Sequence, residues 1–236
     1  MMTRQLHLDI RLKDSLSFAN YFVGPNREPV ERLSTTVQRL RTKEYPSERA
    51  LFLWGARASG KTHLLQAACH AAQQGGDVSC AYVPLSLMQE ISPAILEGLE
   101  QLDLVCIDDL ERICRHARWE QALFSLVEGL RNAAGVLVAA ARANPAGLDL
   151  AMPDLATRLG WGLVYQIYPL GDTEKIGALR LRARNRGLEM SEQVARYVLH
   201  RHPRDAHSVF DFLEQIDEAS LVSQRRITIP FIRGLQ

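Results

Sequence analysis

The chain has 236 residues, 47% hydrophobic and 23% charged, an ordinary globular composition that excludes disordered and fibrous classes and is long enough for a sizeable core plus a small companion domain. Its 28 basic residues nearly balance 27 acidic ones, so no global field draws it to nucleic acid or anionic lipid, and any such binding needs a local patch. No stretch approaches the ~18 uncharged apolar residues of a membrane span, the start "MMTRQLHLDIRLKDS" lacks a signal-like apolar run, and Cys69, Cys80, Cys106 and Cys114 lack metal-binding spacing. A cytoplasmic protein with reduced core thiols and no membrane partner is expected.

Residues 1–14 alternate apolar and polar side chains in "QLHLDIRL", with no adjacent run to pair with as a hairpin, which predicts a tail able to add as a strand to another protein. Turn chemistry at Gly24-Pro25-Asn26 precedes a helix predicted from about Pro29 to Thr42. Five short β-rich runs follow: "ALFLW" from Ala50, "CAYVPL" from Cys80, "LVCID" from Leu104, "VLVAAA" from Val136 and "LVYQIY" from Leu163. Helical patterns separate them, among them "KTHLLQAACHAAQQG" and "RWEQALFSLVEGLRNAAG", the latter with Gly135 as its cap. The alternation predicts an α/β domain over 15–170, a five-stranded parallel sheet with helices on both faces. Over 171–236 the strand signal stops, and "DTEKIGALRLRARNRG", with Asp172 as cap and Gly187 as stop, begins a small all-helical domain.

Between the first strand and the next helix, Gly55, Gly60, Lys61 and Thr62 fill the pattern GxxxxGK[ST], with Ser59 and His63 beside them. That context marks a phosphate-binding loop: glycines let backbone N–H groups turn onto phosphates at a helix N-terminus, Lys61 adds a mobile charge, and Thr62 offers its hydroxyl to Mg²⁺. The run "LDLVCIDDLE" ends an apolar strand in Asp108 and Asp109, at the carboxyl end of a parallel strand, where such sheets bind ligands. Asp108 is expected to hold Mg²⁺ through water, and Asp109 sits where many related ATPases place a glutamate that polarises the attacking water; the alternative is that the pair caps the following helix.

"GARASGKTHLLQA", "SFANYFVGPN", "VCIDDLE" and "PDLATRLGWG" together resemble the AAA+ P-loop module of the DnaA-like family, and the short "QLHLDI" start resembles the DnaA-related regulatory inactivators within it. The resemblance implies the AAA+ sheet over 15–170 and a helical lid over 171–236, with no DNA-binding domain after the lid. It implies docking on the DNA polymerase III sliding clamp through Gln5, Leu6, Leu8 and Ile10, although Asp9 departs from the commoner peptide. It implies stimulation of hydrolysis of DnaA-bound ATP through Arg158, an arginine finger acting in trans, and so negative regulation of replication initiation with weak or absent turnover by the chain itself.

Two departures shape the nucleotide reading. Arg142 stands after "VLVAAA", where DnaA-type modules carry a small polar sensor, and the lid register of "RDAHSVFDFL" offers His207 where an arginine is usual. The expected ligand is therefore a structural nucleotide, ADP, or else another diphosphate or ATP, with Mg²⁺. Arg180, Arg182, Arg184 and Arg186 split into the pairs Arg180/Arg184 and Arg182/Arg186 on different helix sides, which leaves only a weak duplex DNA contact open; a homo-oligomer is left open separately. "HRHP" from His200 reads as a solvated helix end rather than a metal site. Trp54, Trp119 and Trp161 read as core or interface anchors. Alternative functions are a DnaA-like helicase loader or transposase-helper ATPase, and a P-loop phosphotransferase; robust turnover by the isolated protein would favour either.

Overall fold

The computed structural model describes residues 16–74, 77–185, 187–201 and 232. The tail residues Gln5, Leu6, Leu8 and Ile10, the lid residue His207, and His202 and Arg186 of the two basic motifs lie outside the described residues.

The five runs form strands β1 (Ala50–Trp54), β2 (Cys80–Pro84), β3 (Leu104–Asp108), β4 (Val136–Ala141) and β5 (Leu163–Gln166). They pair in parallel in the order β2-β3-β4-β1-β5. β3 and β4 are buried along their whole length, as a parallel sheet covered on both faces requires. The period-two alternation divides their side chains: Leu51, Leu53, Leu104, Cys106, Val136 and Val138 enter one cluster, while Phe52, Val105, Ile107, Leu137 and Ala139 enter the other.

Helix α1 (Arg27–Arg41) starts a little ahead of the predicted point and, with α2 (Lys61–Gln73), covers the first face. Its buried Val30, Leu33, Val37 and Leu40 follow helical spacing. Helix α3 (Ala117–Ala133) buries Trp119, Leu123, Leu126, Val127 and Leu130 on the second face, joined by Leu155 and Leu159 of α4 (Pro153–Leu159). The predicted Gly135 cap is corrected: the left-handed residue is Ala134, with φ 69°. Gly135 is small for another reason, since a Cβ there would lie 2.6 Å from the Leu130 side chain and 2.7 Å from the Leu102 carbonyl.

Helices α5 (Asp172–Asn185) and α6 (Glu192–Arg201) build a third cluster around Ile176, Leu179, Ala183, Met190, Val194, Val198 and Ile232. Asp172 is the first helical residue rather than a cap, and Glu174 accepts the Gly171 N–H at 2.8 Å. Gly187, φ 75°, ends α5 as expected. The architecture is the expected five-stranded AAA+ sheet with a helical lid. No helix among the described residues is long and apolar enough to cross a membrane.

Candidate functional site

The loop between β1 and α2 is shaped by close approaches that only small residues permit. Gly55 donates its N–H to the Ala141 carbonyl at 3.2 Å, and a Cβ on it would sit 2.2 Å from the Ile167 carbonyl oxygen. Gly60 holds φ at +101°, and a Cβ there would come within 3.0 Å of the Tyr21 ring. The loop feeds the N-terminus of α2, a polarity that favours anions. Lys61, which opens that helix, donates from Nζ to the carbonyls of Gly55 at 2.8 Å and Ala56 at 2.9 Å. Ser59 is buried beside it, with Oγ 3.4 Å from the ammonium.

Asp108, the last residue of β3, is only 1% exposed. Its Oδ2 accepts the Tyr82 hydroxyl at 2.9 Å, its Oδ1 accepts the Asp109 N–H at 2.9 Å, and Thr62 hydrogen-bonds to the same carboxylate. Burial holds the Asp108 carboxyl above its ordinary range, against the hydrogen bond from Thr62. One carboxylate beside one hydroxyl suits Mg²⁺, which keeps several waters and takes its remaining ligands from nucleotide phosphates. Asp109, φ 55°, turns the chain into a short 3-10 segment (Leu110–Ile113) that brings Glu111 to the site. Glu111 pairs with Arg142, Nε to Oε1 at 2.8 Å, and also accepts the Arg142 backbone N–H at 3.2 Å. Burial pushes the Lys61 ammonium below its ordinary range, while Asp108, Glu111 and Asp109 pull it up and Arg142 pushes it down. Three carboxylates and one further cation thus bear on the Lys61 ammonium, and that cation, Arg142, is itself paired with Glu111.

His63 is buried. Its Nε2 lies 2.9 Å from the Ser17 carbonyl, which can only accept, so Nε2 carries the proton and Nδ1 accepts from the Arg182 guanidinium at 2.9 Å. The side chain ties α2 to the N-terminal segment and to α5. Burial and the Arg182 charge press its pKa down to about 4. Tyr21 packs edge-on against the His63 ring at 5.1 Å, and burial pushes its phenol up to about 12. Asn26 fixes the same segment by accepting the Tyr168 N–H at 2.8 Å and donating to the Tyr168 carbonyl at 2.9 Å. Arg182 of the basic run turns inward, whereas Arg180 and Arg184 are exposed.

Arg158, near the end of α4, lies elsewhere. Its Nε is 2.8 Å from Glu128 Oε1 on α3, and its guanidinium stacks 3.8 Å from the centroid of the Trp161 ring. Its ionic partner thus comes from the neighbouring helix rather than from its own. Trp119 is core, whereas Trp161 is 52% exposed. The segment that launches α4 is held by buried Glu120, whose carboxylate accepts the N–H groups of Arg115 (2.8 Å), Ala151 (3.0 Å) and Met152 (2.8 Å). Glu111, Glu120, Glu128 and Tyr82 carried no sequence signal of these roles, since each acts through a partner distant in the chain.

A family model described as the bacterial DnaA ATPase domain matches residues 12–166, and one described as the Hda lid domain matches residues 172–235. Domain III of the Thermotoga maritima replication initiation protein DnaA superposes with a TM-score of 0.73 at 18% identity, covering 94% of this chain and 95% of that one. AMPPCP-bound DnaA from Aquifex aeolicus gives 0.69 at 20% identity, over 87% of this chain and 66% of that one. The Thermotoga maritima RuvB Holliday junction branch migration motor gives 0.60 at 18% identity, over 91% and 72%. Identities this low show a shared fold.

Proposed function

The chain belongs to the bacterial DnaA ATPase-domain family and carries an Hda-type lid, and from that membership we propose that it keeps a nucleotide, ADP, as a structural ligand and acts on the ATP held by a separate DnaA molecule. Gly55, Ser59, Gly60, Lys61 and Thr62 cradle the phosphates, with Thr62 and Asp108 holding Mg²⁺. When bound, Mg²⁺ would supply charge neutralisation to the phosphates; the chain's own groups orient the ligand, and Glu111 offsets the Arg142 cation, which disfavours turnover. The tail residues Gln5, Leu6, Leu8 and Ile10 dock on the sliding clamp by β-augmentation. Arg158 places a planar guanidinium against the charge that develops on the γ-phosphoryl group of DnaA-bound ATP, and the chain is thereby a negative regulator of initiation.

The observation that supports the trans assignment is a separation of neighbours. The Lys61 ammonium is held by the Gly55 and Ala56 carbonyls of the phosphate loop, whereas the Arg158 guanidinium is engaged by Glu128 on α3 and by the Trp161 ring. A guanidinium so situated serves a phosphate brought by another molecule. The test is turnover of ATP-loaded DnaA with DNA-loaded clamp. Arg158→Ala should keep folding, nucleotide content and clamp binding yet lose about 10³-fold of the stimulation. Arg158→Lys should rescue poorly, since a point charge does not reproduce the fork. Full stimulation by Arg158→Ala refutes the reading.

A further inference from the structure

Around Trp161 the structure gathers two cations and one carboxylate. The Arg158 guanidinium carbon lies 3.8 Å from the ring centroid and that of Arg131 lies 4.5 Å from it. Glu128, one turn before Arg131 on α3, sits 2.8 Å from Arg158 Nε, and the two side chains of that pair are 26% and 30% exposed. The contact is ionic rather than an aligned hydrogen bond, for Glu128 Oε1 is buried and has no hydrogen-bond partner among the described residues. Ring and carboxylate therefore do different things to the same guanidinium. The ring face attracts it electrostatically and fixes its plane, while the carboxylate supplies an opposite charge that a phosphate oxygen could replace.

We propose that Glu128 is a resident counterion that parks Arg158 until a partner's nucleotide phosphate displaces it, and that Trp161 is the platform that keeps the guanidinium oriented through the exchange; this rests on the reading of Arg158 as a finger acting in trans. Both are positioning residues. Glu128 stands where the incoming phosphate must compete, so it lowers apparent affinity for the ATP-bearing partner without altering the chemistry once the complex is made. Removing its charge leaves Arg131 and Arg158 against one ring without the Glu128 carboxylate, and their mutual repulsion favours an outward Arg158. Trp161 has the reverse signature: without it the guanidinium samples many orientations, which reduces turnover within the complex.

The experiment titrates the full-length protein against ATP-loaded DnaA with DNA-loaded clamp, separating the half-saturating concentration from the plateau rate. Glu128→Gln should lower half-saturation about two- to five-fold, the factor expected for an exposed-to-intermediate ion pair, with the plateau unchanged. Trp161→Ala should lower the plateau by about ten-fold or more at unchanged melting temperature, and Trp161→Phe should restore most of it. An unchanged or raised half-saturation in a folded Glu128→Gln, repeated with Glu128→Ala to remove any amide contact, overturns the counterion; equal plateaus in Trp161→Ala and wild type overturn the platform. If Arg158→Ala loses stimulation in that assay, the finger stands whatever the fate of Glu128. If Arg158→Ala retains it, the finger reading fails and the counterion with it.

Discussion

Glu120 offers a sharp test of how α4, the helix that carries Arg158, is held. Its buried carboxylate accepts three backbone N–H groups, two on Oε1 (Arg115 and Ala151) and one on Oε2 (Met152). Two of those donors lie in the turn immediately before α4, and the third belongs to Arg115, whose backbone is held at φ 66°. Glu120→Gln keeps one oxygen but sets an amide N–H against the Met152 N–H, losing one bond and adding a donor–donor contact, for about 2 kcal/mol. Glu120→Ala orphans all three donors and leaves a void, for ~3–5 kcal/mol after partial rehydration. In a chain of this size each kcal/mol shifts the melting temperature by roughly 2–4 °C. Thermal unfolding followed by far-UV circular dichroism should therefore place alanine about 10 °C below wild type, with glutamine between. Because the turn before α4 is what loosens, DnaA-ATP stimulation should fall at temperatures where nucleotide content is still full. Glu120→Ala melting within about 2 °C of wild type would refute the reasoning.

Three further outcomes are expected. His63 is held neutral, with a folded pKa of about 4 against an ordinary 6.5, so its contribution is complete above pH 6.5 and is lost as pH falls toward 4, by about 3 kcal/mol at most; His63→Gln, which keeps a donor and an acceptor but does not titrate, should flatten that part of a melting-temperature profile, and an identical slope would count against the assignment. Lys61→Ala should purify without nucleotide and melt lower than wild type, because a ligand bound only to the folded state stabilises by mass action; mass spectrometry of the denatured supernatant decides, and full ADP occupancy in the mutant would remove Lys61 from the site. Gln5→Ala combined with Leu6→Ala should abolish clamp pull-down at unchanged melting temperature, and retention on the clamp would move the docking surface elsewhere.

Much of this protein was legible in its residues taken in order. The strands were, because uninterrupted apolar runs such as "VLVAAA" are what a doubly covered parallel sheet requires, and β4 is buried throughout. The phosphate loop was too, because its chemistry is local: the glycines, Lys61 and Thr62 occupy one turn between one strand and one helix, so their spacing in sequence is their spacing in space. Asp108 followed for the same reason, as the residue at which an apolar strand ends.

What the tertiary structure alone decided is which charges meet. Arg158 could have paired with Asp154 on its own helix, yet it finds Glu128 on α3 because α3 and α4 pack on the same face of the sheet. Arg142 reads as a lone cation after β4 until the turn at Asp109 brings Glu111 against it. Arg182 reads as one of four arginines until the packing of α5 against the N-terminal segment aims it at His63. Helical and strand periodicities reveal which face of an element is buried, because burial is a property of one element against a nonspecific interior. A charge pair is a relation between two particular atoms, and only the crossing of the elements that carry them sets the few ångströms on which it depends.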